Sequence, residues 1–454
     1  MAELDLLGPL LTARRRLEDA GKVPAKYYES AQDAVYLSRE LQDELDGRVS
    51  PLVIAWPQTV ADAFENRMDV EGFIFPGETS GDEDLWSVWT ANKMQAQSQM
   101  GHLDAVIRGA SAVIVGPDAG LGVPAITVES TLGLSWKRDP ATSRVTSAAK
   151  WWTGDDQTPW VTIFTPDTRV TYRQRAGEWV EDSRWWHGWG ACPVVPLVNR
   201  PRMSRRDGVS ELAPVIPIAD AANKMATDMM VSGEFHATPR RWAFGLKKSD
   251  FVDGRTGNPK STFSAVIGRL WATENPDAKV GQFPEADLRN FHETLRLLAQ
   301  LVAQIAGLPP HYMAFTGENP ASADAIRSAE SQLVKRVERK LVYFGDAWED
   351  VMRLVLLAQG RDEPRVRTLE TSWRDPSTPT LAAKADAVMK LATARTPDGR
   401  AIVPLSSARR MMGFSDAQMR DMEVEDDAAA ERAGGVLLGQ VSAAIESGVS
   451  GAAS

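Results

Sequence analysis

The 454-residue chain contains one cysteine, Cys192, and five histidines. A single cysteine excludes an internal disulfide framework and is typical of a protein that folds in a reducing compartment. We interpret Cys192 as a packing residue and not as a nucleophile, because no histidine base stands in a recognisable arrangement with it. Since the histidines are scattered, a metal site has little support, and we expect neither a metal nor another cofactor.

Long apolar runs are also missing. Arg296, Gln300 and Gln304 interrupt the most apolar helical segment, and no run approaches the roughly 20 apolar residues that span a membrane. The first residues, Met1–Asp5, carry acids where a secretory leader carries bases. We therefore expect a cytosolic protein without a membrane partner.

Basic side chains are outnumbered. The chain carries 61 acids and 51 bases, a net charge of −10. Proteins that grip duplex DNA on their surface usually display a basic stripe, so this balance argues against such a clamp. It is compatible with a channel through which DNA slides, because a basic lining repeated around a ring would hold the phosphates. It is equally compatible with an ordinary cytosolic protein.

The clearest helical pattern lies between residues 285 and 306. Apolar side chains recur there at three- and four-residue spacing, which predicts one face of an amphipathic helix. The helix ends where Gly307 supplies a left-handed cap and where Pro309 and Pro310 forbid continuation. A loop of small and polar residues follows.

A second, longer helix is predicted after this loop. Asn319-Pro320 has the character of an N-cap with proline at the first helical position. An apolar stripe then continues to Gly360, which corresponds to a helix about 50 Å long at 1.5 Å per residue. Gly345 interrupts the stripe and permits a kink. The simpler alternative is an ordinary helical hairpin in a bundle.

The rest of the chain alternates between helix and strand patterns, so the predicted fold class is α+β. Residues 82–108 predict one helix closed by Gly109, followed by two strands joined by a tight turn. Eight of the 15 tryptophans lie in the short strands between 136 and 189, which favours a shared core or contact surface. Further predicted segments are a helix from Ser210 to Gly233, short strands over 239–283, a strand over 368–373, and helices over 382–394 and 407–420.

Three motif fragments fail on their context. Gly120-x-Gly122-x-x-Ala125 has the spacing of a dinucleotide fingerprint, but strand residues follow where the fingerprint requires a helix, so we predict a hairpin turn. Residues 254–261 contain Gly, Lys and Ser without the spacing of a phosphate loop. His292-Glu293 begins like a zinc-protease helix, yet Arg296 occupies the position of the second histidine.

The junction between the two long helices carries a family resemblance. Gly307-Leu308-Pro309-Pro310-His311-Tyr312, followed by Thr316-Gly317-Glu318-Asn319-Pro320, resembles the tunnel-loop region of tailed-bacteriophage portal proteins of the siphovirus type. Leu52–Pro57 with Val70–Phe73 resembles the N-terminal wing of that family in phages of actinobacteria. Pro196–Arg200, followed by Ile218–Lys224, resembles the approach to its first stem helix. The match rests on the order and spacing of these pieces.

The resemblance implies a portal fold with a mixed α/β wing, a helical stem, a small β-rich clip, a long kinked tunnel helix and a helical crown. The implied divisions are a wing over 1–209, a first stem helix over 210–237, a clip over 238–284, a second stem helix over 285–306, a tunnel loop over 307–320, a long tunnel helix with the C-terminal wing over 321–380, and a crown with a frayed tail over 381–454.

The same resemblance implies a function without catalysis. Portal subunits form a ring, usually of twelve copies, at one capsid vertex through which double-stranded DNA is packaged and later ejected. The implied partners are identical subunits, the DNA, a terminase motor, head-tail adaptor proteins and the major capsid or scaffold protein. The implied location is the virion, with host cytoplasm during assembly.

Three sets of site residues follow from this interpretation. The set that faces DNA is His311, Thr316, Gly317, Glu318 and Asn319. The set that docks partners at the clip is Arg240, Arg241, Lys247 and Lys248, for which a solvated basic face is the alternative. The set at the interface between subunits is Trp151, Trp152, Trp185, Trp186 and Trp348.

Two other functions stay open on the sequence alone. The tryptophans of segment 136–189 are suited to stacking on sugar rings, and Asp155 or Glu178 would then be candidates for a glycosidase carboxylate pair. A different ring-forming head protein, such as an adaptor, is the other alternative, although 454 residues is long for one. A second basic group, Arg200, Arg202, Arg205 and Arg206, is interpreted as a solvated face.

Overall fold

The computed structural model divides the chain into two compact units, Met1–Ser377 and Thr378–Ser454. It describes residues 3–33, 52–78, 81–118, 120–237, 241–244, 279–282, 288–313, 323–361, 364–377, 381–397, 399–414, 418–419, 421–422, 424–429 and 432.

The first unit begins with helices. Their bounds are a 3-10 turn at Leu4–Leu6, α1 at Leu7–Tyr28, α2 at Trp56–Glu65, α3 at Glu83–Ala91 and α4 at Met94–Arg108. The aspartate Asp82 caps α3, since its carboxylate accepts a hydrogen bond from the amide of Leu85 at 2.8 Å. Gly109 ends α4 in the left-handed conformation, as predicted, with φ +97°.

The prediction of one continuous helix over 82–108 is wrong. The chain breaks at Asn92, whose side-chain amide donates to the carbonyl oxygens of Val88 and Pro124, both at 2.9 Å. Its Oδ1 accepts from the amide of Ile126 at 2.9 Å, and Lys93 turns into the left-handed region at φ +54°. The buried Asn92 side chain therefore ends α3 and ties it to a strand that lies more than 30 residues further along.

Two antiparallel sheets form the middle of this unit. The strands are β2 Ala110–Asp118, β3 Pro124–Ser130, β4 Leu134–Arg138, β5 Val145–Thr153, β6 Pro159–Phe164, β7 Thr168–Arg175, β8 Glu178–Trp186 and β9 Val194–Val198. One sheet has the order β3-β2-β9, and the other is a five-stranded meander from β4 to β8. The predicted hairpin at Gly120–Gly122 is confirmed, because β2 and β3 pair on either side of it.

The meander buries one face against α1. Alternate residues of β7, including Val170 and Tyr172, are buried in a cluster with Leu10 of α1 and Ile163 of β6, which is the period of two expected for a half-buried strand. Ser135 also donates to the carbonyl oxygen of Leu10 at 2.7 Å. The tryptophan-rich segment is therefore a β-sheet packed on the first helix.

The long helices are α5 Ile216–Ala237, α6 Arg289–Ala306 and α7 Ala323–Ala358, with 3-10 turns at Pro310–Met313 and Pro364–Thr368. The helix expected from Ser210 starts at Ile216 instead. The Ser210 hydroxyl accepts from the Leu212 amide at 3.0 Å in a separate turn, and Pro214 disfavours helical backbone at the residue before it. At 1.5 Å per residue, the 36 residues of α7 span about 54 Å.

Two short strand pairs complete the first unit. Strand β1, Val70–Ile74, pairs antiparallel with β12, Glu370–Trp373. Strand β10, Arg241–Phe244, pairs antiparallel with β11, Lys279–Gln282. Both pairs join segments that are distant in the sequence.

The main core gathers around α7. Its buried side chains include Leu333, Val337, Phe344 and Val351, which pack with residues of α2, α4 and β1. Gly345 of α7 faces β12, where a Cβ atom would lie 3.3 Å from Nε1 of Trp373. The absence of a side chain at Gly345 therefore permits close packing of the strand, whereas the kink stays a prediction.

The second unit contains α8, Leu381–Thr393, packed on α9, Leu405–Met412. The helix predicted over 407–420 is wrong at its C-terminal end, because Gly413 closes α9 at φ +90°. Among the helices of the described residues, none is long and apolar enough to cross a membrane.

Candidate channel segment and docking surfaces

The end of α6 is fixed by a glycine and an arginine. Gly307 adopts φ +71° as the left-handed cap, and a Cβ atom there would lie 2.7 Å from Nε of Arg336. Arg336, which belongs to α7, donates from Nη1 to the carbonyl oxygen of Ile305 at 2.7 Å. Only glycine satisfies both the backbone conformation and the approach of Arg336, so α7 itself caps the last turn of α6.

Beyond that cap, a network that we name the Arg67 clamp holds both flanks of the loop between α6 and α7. Nη2 of Arg67 donates to the hydroxyl of Tyr312 at 2.8 Å and to Oε1 of Glu330 at 3.1 Å. Tyr312 in turn donates to Glu330 at 3.2 Å. Nη1 of Arg67 donates to the carbonyl oxygen of Pro376 at 2.6 Å.

The Arg67 clamp is mostly shielded from water, because the Arg67 side chain is 8% exposed and that of Glu330 is 17% exposed. It connects the turn after α2, the 3-10 turn before the loop, the first turns of α7 and the segment after β12. Charge-assisted hydrogen bonds in a shielded site are the strong ones. Consequently, the residues on either side of the loop have a fixed separation.

The residues that were predicted to face DNA lie in or beside this loop. His311 is exposed on the 3-10 turn, and its ring meets that of Tyr312 edge to face with centroids 4.9 Å apart. Thr316, Gly317, Glu318 and Asn319 lie outside the described residues, as does the predicted N-cap at Asn319-Pro320.

A second buried network ties α7 to the segment before α5. Nζ of Lys340 donates to Oε2 of Glu211 at 2.5 Å and to Oδ1 of Asn199 at 2.6 Å. Arg200 reaches the other carboxylate oxygen of Glu211 at 3.3 Å. Burial alone would raise the pKa of Glu211, but the charges of Lys340 and Arg200 outweigh it and hold the pKa below its ordinary value.

A buried histidine lies on the other side of α7. Nε2 of His102 accepts a hydrogen bond from Nε1 of Trp348 at 2.9 Å, and its ring stacks on Phe344 with centroids 5.0 Å apart. His102 is fully buried, and burial lowers its pKa to about 3. It is therefore a neutral acceptor in the core.

The sequence matches the profile of the family described as phage portal protein, SPP1 Gp6-like, over residues 22–432. The chain belongs to this family of portal proteins. The portal protein of Mycobacterium phage D29 is 38% identical over 397 residues, which cover 85% of this chain and 81% of that protein. The portal protein of Mycobacterium phage L5 is 36% identical over 440 residues, which cover 92% and 88%.

Solved structures give a more distant likeness. A chain from the neck of an empty gene transfer agent (GTA) particle matches with a TM-score of 0.49 and 14% identity, over 84% of this chain and 95% of that chain. A chain from the virion of a native GTA particle matches with a TM-score of 0.46 and 14% identity, over 84% and 96%.

The predicted family and the predicted function as a portal subunit are confirmed by the family match and the two phage relatives. Portal proteins are structural components of the virion, located at a vertex of the head, so this chain is a structural subunit and not an enzyme. The sugar-active alternative finds no support. Asp155 and Glu178 are exposed, and the neighbouring Asp156 caps its own turn by accepting from the amide and hydroxyl of Thr158.

The tryptophans predicted at the subunit interface separate into three groups by their exposure. Trp348 is completely buried and contacts Trp89 and His102, so its interface role is corrected to a role in the core of the subunit. Trp152 and Trp186 are 38% and 70% exposed. Trp151 and Trp185 are half-buried, with the guanidinium of Arg14 lying 5.2 Å from the Trp151 ring.

The structure describes only one of the four docking residues predicted for the clip. Arg241 begins β10, while Arg240, Lys247 and Lys248 lie outside the described residues. Cys192 is buried, and burial raises its pKa to about 12, which agrees with its interpretation as a packing residue. Within the described ranges, no group of three or more His, Cys, Asp or Glu side chains is placed to hold a metal.

The Arg67 clamp and the Lys340–Glu211 pair were not predicted from the sequence. A charge inside an apolar stripe was the available signal for Lys340, which stands between Val337 and Leu341 on the buried face of α7. No comparable signal marks Arg67, because its partners come from three segments far along the chain.

Proposed function

We propose that residues 307–320 form the tunnel segment of a portal ring of twelve copies, and that α5 and α6 are its stem helices. The Arg67 clamp carries this proposal. A segment that touches moving DNA must be held firmly at both ends while its tip stays small and polar, so that contact does not become adhesion. The clamp fixes the two flanks, and Thr316, Gly317, Glu318 and Asn319 supply the polar tip.

Exposed apolar side chains support contact between neighbouring subunits. Leu297, Leu301 and Ile305 recur every four residues along α6 and are 56%, 37% and 39% exposed. A ring closes through a heterologous interface, so each subunit must offer two different complementary surfaces. We assign the α6 stripe to one surface, and Trp152 and Trp186 of the meander to another.

The strand pair β10–β11 is the proposed centre of the clip. In this assignment Arg240, Arg241, Lys247 and Lys248 dock the terminase motor during packaging and head-tail adaptors afterwards. Arginine suits such a surface because its planar fork pairs with carboxylates through two hydrogen bonds. The remaining partners are the major capsid or scaffold protein, which the subunit meets in the host cytoplasm during assembly.

The tunnel assignment is tested by deleting residues 316–319 from the phage gene. We expect rings of normal size that package or retain less DNA, measured as the ratio of filled to empty heads. A matched variant replaces the same four residues with Gly-Ser-Gly-Ser, which preserves the reach of the loop and should recover more filled heads than the deletion. Filled heads at the normal ratio in the deletion would refute the assignment.

The ring itself is tested by sedimentation velocity and electron microscopy of the purified protein. We expect annular particles about twelve times the subunit mass of 49.7 kDa. A monomer that persists at all protein concentrations would contradict assembly through the surfaces named here.

A further inference from the structure

A cationic cleft lies on the first unit, separate from the proposed tunnel segment and clip. It occupies about 500 Å³ between the first half of α1, the end of β4 with its following turn, and residues 206–207. Pro9, Ala13, Trp136 and Pro140 provide apolar lining. Neither the DNA path nor the clip assignment gives this cleft a role.

Four basic side chains line the cleft, namely Arg16, Lys137, Arg138 and Arg206, together with the two acids Asp139 and Asp207. Both acids already have partners. Asp207 accepts from Nε1 of Trp136 at 3.2 Å and pairs with Arg16. Asp139 accepts from the amides of Ala141 and Thr142 at 2.6 Å and 2.9 Å, so it acts as the cap of its own turn.

The exposed cations of the cleft retain donors, whereas Arg138 is committed to the fold. Nη1 of Arg138 donates to the carbonyl oxygen of Ser143 at 3.0 Å, and its Nε is buried 3.9 Å from the Asp207 carboxylate. Arg206 donates to the hydroxyl of Ser143. The ion pairs of the cleft both involve Asp207, so within the described part of the chain Lys137 and Arg206 have no carboxylate partner. The cleft therefore has a surplus of positive charge above an apolar floor.

We propose that this cleft binds an acidic peptide segment of a protein partner. Carboxylates of such a segment would pair with the exposed Lys137 and Arg206, while an apolar side chain between them would rest against Pro9 and Pro140. A DNA duplex fits poorly, because it cannot enter a cleft of this size and its phosphates would face Asp139 and Asp207. Part of the basic group interpreted as a solvated face thus becomes a docking surface.

The test measures binding of a fluorescent pentapeptide, Glu-Glu-Leu-Glu-Glu, to the full-length protein by fluorescence anisotropy. Its matched control peptide is Gln-Gln-Leu-Gln-Gln. We expect the acidic peptide to bind roughly tenfold more tightly than the control, with an affinity that falls as salt rises. Equal affinity for the two peptides would overturn the proposal.

Protein variants locate the binding. Lys137 and Arg206 are exposed and their charges are not used in the core, so the double variant Lys137→Glu/Arg206→Glu should melt like the parent and bind the acidic peptide roughly tenfold more weakly. Arg175→Glu makes the same type of change on an exposed site of β7 and should leave binding unchanged. An equal loss of peptide affinity in the Arg175 variant would refute the assignment to the cleft. The proposal would also fail if a short DNA duplex bound more tightly than the acidic peptide and the double variant abolished that binding.

Discussion

Replacing Arg67 with methionine should destabilise the first unit by about 3 kcal/mol. The variant loses the hydrogen bonds to Tyr312, Glu330 and Pro376, which measure 2.6–3.1 Å, and it leaves the shielded Glu330 carboxylate with the Tyr312 hydroxyl. Removing one partner of a buried ion pair costs about 3–5 kcal/mol. We expect the lower end because Glu330 keeps some exposure to water and methionine preserves most of the apolar stem.

This loss of stability corresponds to a fall in melting temperature. Unfolding entropy is about 2.1 cal/mol/K per residue, so a unit that ends at Ser377 has about 0.8 kcal/mol/K. A loss of about 3 kcal/mol then lowers the melting temperature by about 4 °C, which differential scanning calorimetry resolves. The matched control is Arg374→Met, because Arg374 pairs with Asp69 and Glu71 at an exposed site and should cost less than about 1 kcal/mol.

A double-mutant cycle separates the clamp from a general loss of packing. If Arg67 and Glu330 act as a pair, the variant Arg67→Met/Glu330→Gln should be less destabilised than the sum of the single variants, by at least about 1 kcal/mol. Strict additivity of the two single changes, or an Arg67→Met variant as stable as the Arg374→Met control, would refute the reasoning.

Three further predictions concern the helices around α7. Lys340→Met, which leaves Glu211 buried beside Arg200, should lower the free energy of unfolding by about 3 kcal/mol in calorimetry, and Lys340→Met/Glu211→Leu should recover most of it. The pKa of His102 is about 3 in the folded state and about 6.5 when unfolded. Protonation below pH 6.5 therefore favours the unfolded state, and the free energy of unfolding falls as pH falls. Wild type should lose about 2 kcal/mol by pH 5 that His102→Gln does not lose, in melts between pH 7.5 and 5. Gly307→Ala should destabilise by more than about 1 kcal/mol, whereas Gly233→Ala, at a helical site with open space, should stabilise by about 0.5–1 kcal/mol; equal effects would contradict the role given to the cap.

Local signals in the sequence were sufficient to predict where several helices and strands end. Gly109 and Gly307 mark helix ends because the left-handed backbone that both adopt is nearly free for glycine. The strands of the meander were predictable as short strands because connections of two to six residues separate them. Helix α6, Arg289–Ala306, was predictable because its apolar positions follow the helical period, although residues 285–287 of the predicted helix lie outside the described residues.

Contacts across long sequence distances were not predictable in the same way. The side chain of Asn92 ends α3 through bonds to β3, and nothing in the surrounding residues distinguishes it from an asparagine on a helix surface. The pairing of β1 with β12 joins residues about 300 positions apart. Trp348 was assigned to an interface because its type favours interfaces, but its position on α7 faces His102 in the core.

The β1–β12 ladder has a consequence for synthesis of the subunit. Ile74 pairs with Glu370 and Val70 pairs with Trp373. Strand β1 therefore stays unpaired during synthesis until translation has passed residue 373. A nascent or truncated chain that stops before this point exposes an unpaired edge. Formation of the ladder therefore depends on synthesis past residue 373, and chains truncated before that point leave Val70–Ile74 without its partner strand.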